Sequence, residues 1–232
     1  MYKDFYFLHI HKTGGRYFKK YIISQLENSI NIISKNERHS GWIEDIKEDT
    51  YVFLILRDPI EFICSFYSHF VSQKAGLLEE NNIEFIKNNI ASINLDKKYM
   101  FKWLKANPWS YNLQSKQILN TASENKSIID NIVQKYTFNN NVDKDLLYKR
   151  LDRSNLIIKQ ISLHEPKKII EKICKDFNIN FEGEIKIDTN TFSNMASKTL
   201  YNSLTEADKA IIEQMFAIDL EIYNSNIFTQ LD

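Results

Sequence analysis

Three stretches of this chain carry residue types that could do chemistry on an anionic substrate. The first is His11-Lys12-Thr13-Gly14-Gly15-Arg16, a basic, hydroxylated turn between an apolar run (Phe5, Tyr6, Phe7, Leu8, Ile10) and an amphipathic segment. Gly14 and Gly15 admit backbone conformations closed to other residues, so successive amides can curl round an anion at a helix start. Lys12 adds a mobile positive charge and Thr13 a hydroxyl. The order strand, basic loop, helix therefore predicts a phosphate cradle, although the spacing is not that of G-x-x-x-x-G-K-[ST]. The second stretch is the polar loop from Lys35 to Gly41, which holds His39, a base that titrates near neutrality. The third begins at Arg57, where an apolar run ends, and includes Ser65 two helical turns further on. A guanidinium fork and a hydroxyl suit a second phosphate. The alternatives at these positions are a salt bridge from Arg57 to Asp58 or another carboxylate, and a plain surface histidine at 39.

The elements that must position these residues are legible from periodicity. Tyr17, Phe18, Tyr21, Ile22 and Leu26 predict a helix from about Gly15 to Glu27, and SINIIS (29–34) a short strand. Tyr51 to Leu56 is a continuous apolar run, as in a central parallel strand buried on both faces. Asp58 and Pro59 then cap and open a helix whose apolar face is Phe62, Ile63, Phe66, Tyr67 and Phe70. Glu79 to Leu119 is largely helical in pattern with a break at Asn107-Pro108, and its aromatic residues read as core before ligand platform. A short helix is expected at Ile128 to Tyr136, a strand at Asn155 to Ile161 and a helix at Glu165 to Phe177; Asn178 to Thr191 has no clear period. Ser203-Leu204-Thr205-Glu206 matches a capping box that opens a last helical region reaching about Asn226. Alternating strands and helices predict a three-layer, P-loop-like α/β fold: a central parallel sheet flanked by helices, in one domain spanning residues 1–232. Ligands of such sheets bind beyond the carboxyl ends of the strands. Lys12, His39 and Arg57 each follow a predicted strand and so fall on one edge.

Composition bounds the partners. Lys plus Arg equals Asp plus Glu at 30 each, so nothing general favours nucleic acid or an anionic membrane surface. Cys64 and Cys174 lie within apolar helical patterns and read as buried free thiols. No close His, Cys and carboxylate cluster has metal-ligand spacing, so no metal is expected. No apolar run approaches the roughly 20 residues that span a bilayer, and the first residues lack signal-peptide zones. The expectation is a soluble cytoplasmic protein, unless an anchor preceded residue 1.

Phe7 to Tyr17 resembles the H-x-P-K-T-G-G-T-S loop, and Leu56 to Tyr67 the L-R-D-P-x-x-R-x-x-S-x-Y segment, of sulfotransferases that use 3'-phosphoadenosine 5'-phosphosulfate (PAPS). The likeness is greatest to the branch with the heparan and uronyl 2-O-sulfotransferases, where a His-bearing loop precedes R-D-P at a distance like that from His39 to Arg57. Asn112-Leu113-Gln114 is similar to an N-L-Q segment of that branch, and Asp219 to Tyr223 to its closing D-x-x-L-Y helix. The resemblance implies that Lys12, Thr13, Gly14 and Gly15, with the backbone of Arg16 and Tyr17, hold the 5'-phosphosulfate. It implies that Arg57 and Ser65 hold the 3'-phosphate and that His39 is the general base, with Lys12 neutralising charge on the leaving oxygen. It also implies a hydroxyl acceptor, carbohydrate or another small molecule, met by the helical region at about 71–150. The chain departs from the pattern at His11, Arg16, Tyr17 and Phe62. Arg16 could face donor or acceptor, and His11 could share the base role. A P-loop-like kinase with an aberrant loop and a non-catalytic nucleotide-binding protein of this fold are the alternative functions.

Overall fold

Among the described residues, four parallel strands form the centre of the computed structural model, which covers residues 2–33, 41–44, 46–71, 96–121, 128–136, 141–160, 166–180 and 195–228. They are β1 (Asp4–Leu8), β2 (Asn31–Ile32), β3 (Thr50–Leu56) and β4 (Leu156–Lys159), in the order β2-β1-β3-β4. β1 pairs with β3 from Asp4 opposite Thr50 to Leu8 opposite Leu54, and β3 pairs with β4 from Phe53 opposite Leu156 to Leu56 opposite Lys159. The chain leaves β1 towards β2 on one side and leaves β3 towards β4 on the other. The carboxyl ends of β1 and β3 therefore flank the point where the winding reverses, the usual ligand crevice of an open α/β sheet.

Period-two alternation sends successive side chains to opposite faces. Phe5, Phe7, Tyr51, Phe53 and Ile55 meet the segment that follows the first loop, formed by α1 (Gly15–Phe18), a π-helical stretch (Lys19–Ile23) and α2 (Ser24–Leu26). On that face Phe18 lies 4.4 Å from Phe53 and 4.6 Å from Phe7, ring centre to ring centre. Each ring so buried contributes roughly 1.5–3 kcal/mol. The apolar positions Phe18, Ile22 and Leu26 recur every four residues, which drifts round a helix of 3.6 per turn. The wider π turns keep them on one face. The opposite face (Tyr6, Leu8, Val52, Leu54, Leu56) is covered by α5 (Leu113–Leu119), α7 (Lys144–Asp152) and α11 (Ala217–Asn224).

A second, all-helical core joins α3 (Pro59–Val71), α4 (Lys97–Ala106), α6 (Ile128–Tyr136), α9 (Met195–Asn202) and α10 (Glu206–Met215). α5 belongs to both cores, and each of its residues is buried. Its Lys116 donates to the Trp109 carbonyl at 3.0 Å and lies 4.8 Å from the Tyr136 ring centre, and burial pushes its pKa down to about 8. α8 (Pro166–Phe177) packs its apolar stripe against the first face of the sheet. Among the described residues no helix is long and apolar enough to cross a membrane.

The α/β class, the parallel sheet and its flanking helices agree with expectation, as does the start of α3: Asp58 Oδ1 accepts from the N–H groups of Ile60 and Glu61 at 2.9 and 3.0 Å. The break after α4, α6 and the two buried thiols also agree; burial pushes Cys64 up to about 12 and Cys174 upward. The capping box differs. Thr205, not Ser203, caps α10, with Asp208 reaching back to the Thr205 N–H at 2.8 Å. Ser203 instead ends the preceding helix, donating to the Leu200 carbonyl at 2.7 Å. The last helical region is two helices meeting at Phe216. α7, whose first turn Asp143 caps at 3.0 Å from Leu146 N, and α9 lie where periodicity assigns no element. Among the described residues the second strand is Asn31–Ile32, whose two residues pair in register with Asp4 and Phe5 of β1, and Ser34 lies outside them.

Candidate functional site

The cradle is built by steric necessity. Lys12 and Gly14 both have left-handed backbones, φ 59° and 89°, on either side of Thr13. Such a conformation costs a non-glycine residue roughly 1–2 kcal/mol, and at Gly14 it costs little. Thr13 is buried and its hydroxyl donates to the Ile10 carbonyl at 2.9 Å, so it braces the loop from inside. Gly15 opens α1 for a different reason: a Cβ there would lie 1.8 Å from His9 Nε2. The His9 ring, stacked on Phe7 at 5.2 Å, occupies the space a side chain would need. Gly15→Ala is expected to lower stability by about 1–3 kcal/mol, the range for overpacking, and Gly15→Ala with His9→Ala to recover part of it, read by urea denaturation. Equal stability of wild type and Gly15→Ala would remove the close approach as the reason for glycine.

Arg57 crosses from β3 to this loop. Its Nη1 donates to the Lys12 carbonyl at 3.2 Å and its Nε to Glu61 at 3.3 Å, so the carboxylate partner is Glu61, one turn into α3. Among the described residues two of its five donor hydrogens are thus engaged. Its backbone is held on both sides by one amide: Arg57 N–H donates to Gln114 Oε1, and Gln114 Nε2 donates to the Arg57 carbonyl, each at 2.9 Å. Gln114 sits in the first turn of α5, where Asp219 supplies the missing acceptors. The N–H groups of Gln114 and Ser115 donate to its carboxylate at 3.1 and 2.9 Å, and the Ser115 hydroxyl donates to it as well. Asn112 returns the favour to α11, its Oδ1 accepting from Ile218 N and Asp219 N at 3.0 and 3.3 Å. Two helix starts, more than a hundred residues apart, thereby cap each other.

No protein-family model, curated protein or solved structure matches this chain. The site is therefore read from its own residues. Lys12, Thr13, Gly14, Gly15 and Arg57 come together at the crevice between β1 and β3. Arg16 and Tyr17 contribute backbone to α1, and their side chains lie outside the described residues, as does the whole of His39. Ser65 is buried in α3 and shares no hydrogen bond with Arg57. Phe62, at the position where the resemblance expects arginine, is fully buried and stacks on Phe66 at 5.9 Å, so it belongs to the helical core. Gln114, Gln117 and Asp219 are the polar residues that spacing alone did not single out for this edge. Only the N-L-Q and D-x-x-L-Y likenesses point at two of them.

His11 acts from beneath the loop. Gln117 Oε1 accepts from its backbone N–H at 2.8 Å and from its Nδ1 at 2.7 Å, in the tautomer that network selects. Burial, the largest cause, pushes its pKa down to about 4 from an ordinary 6.5, which makes it a weak base near neutrality. The unfolded chain takes up a proton between pH 6.5 and 4 that the folded chain refuses. The stability due to neutral His11 is thus complete above pH 6.5 and falls towards pH 4 by up to about 3 kcal/mol. Asp219 works the other way, since burial pushes it up to about 6 and acid then favours its folded form. The His11 contribution is the difference between wild type and His11→Gln: from pH 7 to 4.5 the variant should lose about 2–3 kcal/mol less in urea denaturation. Parallel pH profiles would contradict it.

Proposed function

We propose that this protein is a PAPS-dependent sulfotransferase of P-loop-like fold that transfers a sulfuryl group to a hydroxyl of a carbohydrate or other small acceptor. One observation carries the reading. The four stretches that resemble that family's motifs, at residues 7–17, 56–67, 112–114 and 219–223, are joined at one sheet edge by the Arg57, Gln114 and Asp219 hydrogen bonds. The loop also suits the donor, because the left-handed backbone at Gly14 lets successive amides curl towards an anion.

Lys12 and the amides from Thr13 to Tyr17 would hold the 5'-phosphosulfate, and Arg57 with Ser65 the 3'-phosphate. The bound donor supplies an S–O bond that breaks as the acceptor oxygen bonds to sulfur. Lys12 neutralises charge growing on the oxygen that departs, the role of preorganised cations in phosphoryl transfer. His39 takes the acceptor proton, for which an imidazole titrating near neutrality is suited. The helical region at about 71–150 meets the acceptor, and the cytoplasm is the proposed location.

The test is binding of adenosine 3',5'-bisphosphate by calorimetry without magnesium. Tight binding is expected, with ATP and magnesium much weaker. Arg57→Ala should weaken the bisphosphate by about 1.5–3 kcal/mol, the scale of a hydrogen bond to a charged group. Preference for magnesium ATP would refute the sulfotransferase reading in favour of a kinase.

A further inference from the structure

β4 ends at Lys159, and Gln160 follows on the edge that carries the cradle. Its N–H donates to the Leu56 carbonyl at 2.5 Å, which extends the β3–β4 ladder to the residue beside Arg57. Strand alternation turns the two side chains to opposite faces. Lys159 goes to the aromatic pair Tyr223 and Phe228, 4.5 and 4.8 Å from their ring centres. Gln160 goes to the loop: its Nε2 stands 3.9 Å from the point where a Cβ on Gly14 would lie. Its Oε1 is buried without a hydrogen-bond partner, and among the described residues no hydrogen bond engages its Nε2. The penalty of roughly 1–3 kcal/mol for an unpaired buried group falls on Oε1 alone, while Nε2, with two donor hydrogens, is the atom that faces the loop. Such groups in native proteins meet a water or a ligand. The ligand a lysine and a turn of amides would gather at Gly14 is an anion, and an anion oxygen is what Nε2 can serve.

We infer that Gln160 is a further ligand of the group in the cradle, donating from Nε2 to an oxygen of the donor's 5'-phosphate. The inference rests on the sulfotransferase reading for the identity of the nucleotide. It gives the site a third strand: β1 supplies the cradle, β3 the guanidinium and β4 a neutral donor.

Two nucleotides separate this role from a structural one. Adenosine 3',5'-bisphosphate carries the 5'-phosphate, and adenosine 3'-monophosphate lacks it. Gln160→Glu replaces the donating nitrogen with a carboxylate oxygen of the same reach. It should weaken the bisphosphate at least about tenfold, or 1.4 kcal/mol. The monophosphate should change less than about twofold, within roughly 0.4 kcal/mol. Gln160→Asn, which withdraws the amide by one methylene without adding charge, should give the same pattern at smaller size. Unchanged bisphosphate affinity in both variants, or equal weakening of the two nucleotides, overturns the role of Gln160 and leaves the donor site standing. Failure of the wild type to bind the bisphosphate overturns both.

Discussion

Lys12→Ala is expected to lower turnover about a hundredfold or more in a sulfuryl-transfer assay, while the affinity for adenosine 3',5'-bisphosphate falls much less. The difference follows from when the charge is needed. Under the proposed function the amides of the Thr13–Gly15 turn would already meet the donor's 5'-phosphate in the ground state, and Arg57 its 3'-phosphate. As the S–O bond breaks, new charge appears on the bridging oxygen, and a preorganised donor at that point is worth about 3–4 kcal/mol. Lys12 has a second, separable contribution, because its backbone is left-handed at φ 59°. Alanine keeps that strain and glycine relieves it, so Lys12→Gly should match Lys12→Ala in lost turnover yet unfold about 0.5–1 kcal/mol later. Full turnover in either variant would remove Lys12 from the chemistry. A loss of bisphosphate affinity as large as the loss of turnover would make it a binding residue only.

Asp219→Ala should destabilise the fold by about 2–4 kcal/mol in urea denaturation. Its carboxylate is 3% exposed and accepts from two α5 amides and the Ser115 hydroxyl. Removing it strands those donors, each at roughly 1–3 kcal/mol before relaxation. Water entering the space that the lost carboxylate vacates offers a partial remedy, which holds the loss below the sum. Asp219→Asn should lose less, because one side-chain oxygen can still accept from Ser115 while its amide nitrogen opposes the Gln114 N–H. The effect should reach the site, since Gln114 is what fixes the Arg57 backbone. Bisphosphate affinity of the folded Asp219→Ala protein should drop severalfold. An Ala variant within about 0.5 kcal/mol of wild type would show that the reciprocal cap is not a structural joint.

The strands at Asp4–Leu8, Thr50–Leu56 and Leu156–Lys159, the Asp58–Pro59 helix start and α6 follow from side-chain period and capping, which depend on residues within one turn of each other. The same locality explains the error at Ser203. Two overlapping S/T-x-x-acid patterns compete there, and the end of α9 claims the first serine, so the cap falls to Thr205.

The sequence by itself determined the α/β class, the glycines of the first loop and the placing of Lys12 and Arg57 after the first and third strands. Tertiary structure decided the rest. It made Gly15 obligatory through the His9 ring and made His11 a neutral prop through Gln117, 106 residues away in sequence. It put Gln114 under Arg57, Asp219 under Gln114 and Gln160 beside Gly14. Each of these contacts pairs a backbone group or a side chain with a partner that has no fixed spacing from it, and only the closure of the sheet edge sets their distance.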